Sequence, residues 1–212
     1  MNEIEEKSSA LSFSSPIVWF KLRNSEQLNA KLLKDCESWR SNSQGISRSN
    51  KKGWHSENDL FHRPEASFKA LCEAIHQCIL AVTRKSAPSL EFDNIEIQYN
   101  GWININPTNA FNSPHRHAGY MWSGTYYVRI PESADKYSGV IEFFDPRNLD
   151  MSNRIKESEM FAERLKFNPK SGELVIFPSY LLHWVTPNQE SDERVSIAFN
   201  ARIRRKEPSG KG

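Results

Sequence analysis

Ile95-Glu96-Ile97-Gln98-Tyr99-Asn100-Gly101-Trp102-Ile103-Asn104-Ile105-Asn106 is the stretch that sets the fold class of this 212-residue chain. Ile95, Ile97, Tyr99, Ile103 and Ile105 recur at every second place, the period of a strand with one face on a core. Glu96, Gln98, Asn100, Trp102, Asn104 and Asn106 fall on the other face. Amides along an ordered strand point to a polar cavity beneath that face. Gly101 is read as a bulge within the strand.

Upstream of this stretch the period is helical. Pro16 to Leu22 reads as a short strand, and a helix capped by Asn24 or Ser25 runs to about Arg40, with Leu28, Leu32, Leu33, Cys36 and Trp39 at helical spacing. Residues 41–63 are polar, are broken by Gly45 and Gly53, and read as a long loop that could cover a site. Within that loop, Gly53-Trp54-His55-Ser56 has the aromatic and polar character of a substrate-facing segment, with a Trp that anchors a surface loop as the preferred alternative reading. Pro64 opens a second helix that extends to about Arg84, with Phe68, Leu71, Cys72, Ile75, Ile79 and Val82 as its stripe. His76, beside that stripe, is read as structural.

Downstream the chain is many short strands joined by Gly, Pro and Asn turns. Pro107 to Pro114 reads as turn. Strands are expected at 123–130, 140–144, 165–168, 173–178, 181–185 and 194–203. The expected fold is therefore mainly β with flanking helices, a jelly-roll or cupin-like sandwich under an N-terminal helical layer. A single domain is expected over 1–212. It divides into a disordered N-terminus at 1–12, a helical layer and lid loop at 13–89, the β core at 90–203 and a basic tail at 204–212. The polar segment 148–164 is a second candidate lid.

Composition narrows the function classes. A net charge of +2 favours neither nucleic acid nor membrane. Cys36, Cys72 and Cys78 are odd in number and lack paired spacing, so a disulfide framework is not expected and a reducing cytoplasm fits. No apolar run reaches membrane-spanning length.

Two histidines, His115 and His117, stand at i and i+2 and share a face if the segment is extended. His183 lies far along the chain. Folded together, the three imidazoles would suit Fe(II), Zn(II), Cu or Ni. Structural zinc more often shows Cys ligands in local pairs. Eleven positions after His183 comes Arg194, a cation that could hold the far carboxylate of a bound co-substrate.

The run His115-x-His117, Ser123-Gly124-x-Tyr126-Tyr127-Val128, Ser138-Gly139-x-Ile141-x-Phe143, Pro169-x-x-Gly172-x-Leu174-x-x-Phe177, His183 and Arg194-x-Ser196-Ile197 resembles the Fe(II)/2-oxoglutarate-dependent oxygenases. In order and spacing it is similar to the prolyl-hydroxylase-type members, and to a 2OG-Fe(II) oxygenase family of bacteria and phages. The resemblance spans about Pro16 to Ile203 and implies a double-stranded β-helix core. It also implies Fe(II) as metal, 2-oxoglutarate as co-substrate and O2 as oxidant. His115 and His183 would be ligands, and His117 stands where the family at large has Asp or Glu. Asp145, in Phe144-Asp145-Pro146-Arg147, is an alternative third ligand ranked below His117. Arg194 and Ser196 would bind the distal carboxylate, Tyr127 could offer its phenol, Ser123 is a weaker candidate, and Asn104 or Asn106 could supply an amide.

The implied reaction hydroxylates an unactivated C–H bond and releases succinate and CO2. Two other readings are open: a three-histidine cupin-like dioxygenase or isomerase without 2-oxoglutarate, and a non-catalytic jelly-roll binding module. A small-molecule substrate is expected ahead of a protein side chain, and the helical layer could serve a homodimer.

Overall fold

The computed structural model describes residues 14–147, 158 and 162–206. The expected disordered segment 1–12, the end of the basic tail at 207–212, and residues 148–157 and 159–161 of the second expected lid lie outside them.

The fold is a double-stranded β-helix, or jelly roll, of two facing sheets with two helices on the back of the larger one. Its elements in chain order are β1 (Val18–Lys21), α1 (Ser25–Ser41), β2 (Asn50–Lys51), β3 (Trp54–His55), α2 (Ala66–Ser86), β4 (Ile95–Asn106), β5 (Phe111–His115), β6 (Trp122–Arg129), β7 (Ile141–Phe144), β8 (Arg164–Phe167), β9 (Glu173–Pro178), β10 (His183–Val185) and β11 (Arg194–Arg205). The larger sheet has the order β1-β9-β6-β11-β4-β3, and the smaller β2-β5-β10-β7-β8. All the named pairings are antiparallel.

At the centre is the β4–β11 pair, in register without a break from Ile95↔Arg205 to Asn106↔Arg194. Alternation gives this ladder two uses. Ile103, Ile105, Val195, Ile197 and Phe199 face the helices and pack with Leu32, Cys36, Trp39, Phe68, Leu71, Ile75 and Ile79. Each such fully buried apolar side chain contributes roughly 1.5–3 kcal/mol. A second core lies between the sheets, formed by Tyr127, Ile141, Phe143, Val175, Phe177, Leu181 and Val185.

Several local readings change. Gly101 pairs regularly with Phe199, so there is no bulge. Its missing side chain makes room for Phe61, whose ring edge would lie 2.9 Å from an added Cβ. The Pro107–Pro114 segment is not all turn, because β5 begins at Phe111 and includes Pro114. A register shift between the β5 and β10 pairs accommodates it, a setting in which a missing N–H is tolerated. Residues 41–63 hold β2 and β3, which pair with β5 and β4 and so tie this segment to both sheets. Helix α2 starts at Ala66 rather than Pro64. Asn24 adopts the left-handed conformation and makes no side-chain cap.

Close packing of the larger sheet leaves little room at Gly124 on β6. A Cβ there would fall 2.3 Å from Phe199 Cζ and 2.5 Å from the Val175 carbonyl. Gly124→Ala is therefore expected to destabilise the fold by about 1–3 kcal/mol, read as a lower denaturant midpoint at unchanged slope.

Candidate metal and co-substrate site

The site lies between the sheets. Antiparallel register sets His115, the last residue of β5, directly opposite His183, the first of β10. His117 follows two residues on, its backbone N–H donating to the Ser179 carbonyl at 3.0 Å. One ligand atom from each of the three imidazoles lies within 4.8 Å of the others. Ring centroids are 4.4 Å apart for His115–His183, 4.9 Å for His115–His117 and 5.3 Å for His117–His183.

Two of these rings are aimed from behind. His115 Nδ1 sits 2.7 Å from the Ser113 carbonyl, and His183 Nδ1 sits 2.9 Å from the Leu181 carbonyl. A carbonyl only accepts, so Nδ1 carries the proton and Nε2 presents its lone pair to the centre. This is the outer-shell bond that orients metal-binding imidazoles. Burial lowers all three His pKa values, that of His117 to about 3 with a further push from His115. Three neutral imidazoles converging on one point fit a transition metal such as Fe(II).

The same cavity runs from the imidazoles to Arg194, lined along the way by Asn104, Tyr127, Ile141, Phe177, Val185 and Ser196. Arg194 is 2 % exposed and forms no ion pair with any described carboxylate. Its Nη1 donates to Ser196 Oγ at 3.1 Å, while Nε has no partner. Burial lowers the Arg194 pKa. Its guanidinium carbon lies 5.3 Å from the centre of the Tyr127 ring, and Trp19 stacks behind Tyr127 at 6.0 Å. The Tyr127 hydroxyl is also buried without a partner. A buried guanidinium beside a buried phenol, neither of them satisfied, is a cradle for an anion.

The remaining candidates and the aromatic residues nearby divide between the cavity and the scaffold. Asn104 lines the cavity, and its Oδ1 accepts from Asn50 and Asn112. Asn106 is bonded to Asn50 and Asn112 within the scaffold. The Ser123 hydroxyl donates to Asn200 Oδ1 at 2.7 Å, one rung beyond the cavity that holds Arg194. The Asp145 carboxylate accepts from Arg147 Nε at 2.9 Å, from Nη2 at 2.7 Å and from the Arg147 backbone. Trp102 faces the site with its ring centre 5.6 Å from that of His117. Trp122 is bonded to Thr83 and Trp184 to Glu142. His55, in the Gly53–Ser56 segment, stacks on Trp102 at 5.5 Å. Ser49, which carries no signal of a site residue in the sequence, reaches His115 Nε2 at 3.5 Å. Both come from the segment whose spacing carries no strand signal.

Fold and site together define a jelly-roll protein with a three-histidine centre and a buried cationic arm. Residues 100–200 match the family model described as "Putative 2OG-Fe(II) oxygenase". No curated protein matches this sequence. Among solved structures, a prolyl-4-hydroxylase from Pseudomonas putida superposes with a TM-score of 0.63 at 17% identity, covering 91% of this chain and 95% of its own. The α-ketoglutarate-dependent epimerase SnoN of nogalamycin biosynthesis gives 0.63 at 12% identity, with 93% and 81% coverage. HygX from Streptomyces hygroscopicus, with nickel and 2-oxoglutarate bound, gives 0.62 at 10% identity, with 89% and 83% coverage. At these identities the likeness is one of fold.

Neutral buried histidines make acid stability a test of the site. In the unfolded chain these imidazoles take up protons near the ordinary value of 6.5, whereas the folded protein holds His117 neutral down to about 3. Metal-free protein should therefore be most stable above that ordinary value and lose stability as pH falls below it. Each such histidine contributes up to about 1.4 kcal/mol per pH unit. His117→Gln should shallow the slope of melting temperature against pH by about one proton's worth.

Proposed function

We propose that the protein is an Fe(II)/2-oxoglutarate-dependent oxygenase that hydroxylates an unactivated C–H bond of a small molecule. One observation carries this reading: Arg194, buried and without a carboxylate partner, shares a cavity with three neutral, converging imidazoles.

In this reading His115, His117 and His183 hold the metal. When bound, Fe(II) with 2-oxoglutarate and O2 supplies the oxidising power, and the co-substrate leaves as succinate and CO2. Arg194 and Ser196 take its distal carboxylate, for which a planar guanidinium is well shaped. The Tyr127 phenol donates to the same group. Its pKa is raised by burial, so it stays protonated and can act as a donor. Ile141, Phe177 and Val185 line the cavity between the two ends and exclude water from it.

His117 in place of a carboxylate leaves the metal's charge uncompensated by its protein ligands. That strengthens the hold on an anionic chelator. HygX, with nickel and 2-oxoglutarate on a similar fold, supports the choice of co-substrate. SnoN, an epimerase on the same fold, makes the outcome at the substrate carbon a separate matter for product analysis. The all-imidazole centre is also the observation that favours a second reading, a three-histidine dioxygenase that does without 2-oxoglutarate.

Anaerobic titration with Fe(II) and 2-oxoglutarate separates the two. The first reading expects a weak visible charge-transfer band when the 2-oxo acid chelates the metal, and loss of iron binding in His117→Ala. Arg194→Ala should weaken 2-oxoglutarate binding by about thirtyfold or more, since truncating one side of a buried charge pair costs about 2–5 kcal/mol. Iron binding without a band, or an Arg194→Ala variant with wild-type affinity, would sink the first reading and promote the second.

A further inference from the structure

The floor of the site is built in rungs across β4, β11 and β6. From the Arg194 end they run Asn104–Ser196–Tyr127, Trp102–Ala198–Thr125 and Asn100–Asn200–Ser123. The first rung belongs to the cationic arm, and the second lies under the imidazoles. Four residues further along β11 from Ser196, about 14 Å at strand rise, the third rung is polar again. It is nonetheless well covered, with Asn200 3 % and Ser123 1 % exposed.

This rung borders a second cavity of about 250 Å3 that shares His115, His117 and Trp102 with the first. Its remaining walls include Arg48, His55 and Asn58, and none of its lining residues is acidic. The size suits a small molecule rather than a folded partner.

The hydrogen bonds within the rung have a direction. Ser123 Oγ donates to Asn200 Oδ1 at 2.7 Å, Asn200 Nδ2 to Asn100 Oδ1 at 3.0 Å, and Asn100 Nδ2 to the Tyr120 hydroxyl at 3.0 Å. Both amide oxygens are thus occupied by protein donors. Each amide nitrogen keeps a second N–H, because an amide carries two. Arg48 adds a guanidinium that pairs with no described carboxylate. His55 is held by its Nδ1 contact with the Ser56 carbonyl at 2.6 Å, and burial lowers its pKa, with Arg48 adding to the effect. The neutral His55 ring lies parallel to Trp102, 9° between planes, and makes a flat wall. The cavity therefore offers amide donors, one cation and an aromatic wall, and it meets the imidazoles where it borders the first cavity.

We propose that this cavity is the substrate site and that it selects a small carboxylate-bearing molecule. The carboxylate is held by Arg48 and the Asn100–Asn200 amides, and the rest of the molecule lies along Trp102 toward His115 and His117. The inference rests on the oxygenase reading only for the word substrate, since the recognition chemistry is independent of it.

The test uses protein loaded with Zn(II), which is redox-inert, together with 2-oxoglutarate. Saturation-transfer NMR is run with the proteinogenic amino acids as free acids and, separately, as their primary amides. One or more free acids should bind, each about tenfold or more tighter than its amide, as expected for a charge-assisted bond. Arg48→Gln should remove that preference, and Arg48→Glu should reverse it, while both variants bind 2-oxoglutarate like wild type. Arg48 is exposed, so neither change is expected to unfold the chain. Equal binding of acids and amides, an unchanged preference in Arg48→Gln, or no free acid bound by wild type at millimolar concentration would overturn the proposal. Failure of wild type to bind 2-oxoglutarate would count against the co-substrate reading, and the acid–amide comparison would still report on the second cavity.

Discussion

The constraint on which the rest depends is the unbroken β4–β11 ladder. Its alternation sends Val195, Ile197, Phe199 and Ala201 to the helices and Arg194, Ser196, Ala198 and Asn200 to the space between the sheets. A slip of one residue would exchange the two sets, burying a guanidinium among leucines and exposing the core. The energy that fixes the register is apolar burial against α1 and α2. The same register sets the order of chemical groups along the site, so stability and recognition are coupled through one pair of strands.

Against that background the site breaks the usual rules of a protein interior in a limited way. Buried charge is costly unless paired, yet among the described residues the Arg194 guanidinium has no carboxylate partner, donates to Ser196 and lies over the face of Tyr127. The Tyr127 hydroxyl is equally unsatisfied. Such conflicts between local cost and global fold concentrate at functional positions. The imidazoles show the complementary arrangement, in which burial keeps them neutral and backbone carbonyls spend the proton-bearing nitrogen of two of them. What is left over, one cation and a set of inward-facing lone pairs, matches an anionic chelator bound to a metal.

The segment 41–63 shows how a stretch with weak local signals acquires a role. Its two short strands add one edge to each sheet. Pairing with β4 places His55 on Trp102, and pairing with β5 brings Ser49 beside His115. Neither β2 nor β3 has the length or the period to be recognised alone. Both are held by pairing with strand edges that β5 and β4 offer.

Much of the protein was legible in its residues. The period-two run from Ile95 to Asn106, the helical stripes of α1 and α2, and the pairing of His115-x-His117 with His183 and Arg194 are local patterns whose physical meaning does not depend on distant partners. They determined the mainly β fold, the helical layer and the membership of the three-imidazole group. The tertiary structure alone decided that Gly101 makes room for Phe61, that Pro114 sits in a strand beside a register shift, that Asn106 serves the scaffold, and that Ser123 bonds to Asn200 rather than lining the cavity of Arg194. It alone assembled Arg48, His55 and Asn100 with Asn200 around one space. These are consequences of pairing between segments far apart in the chain, and no local period encodes which residue a given side chain will face across a sheet.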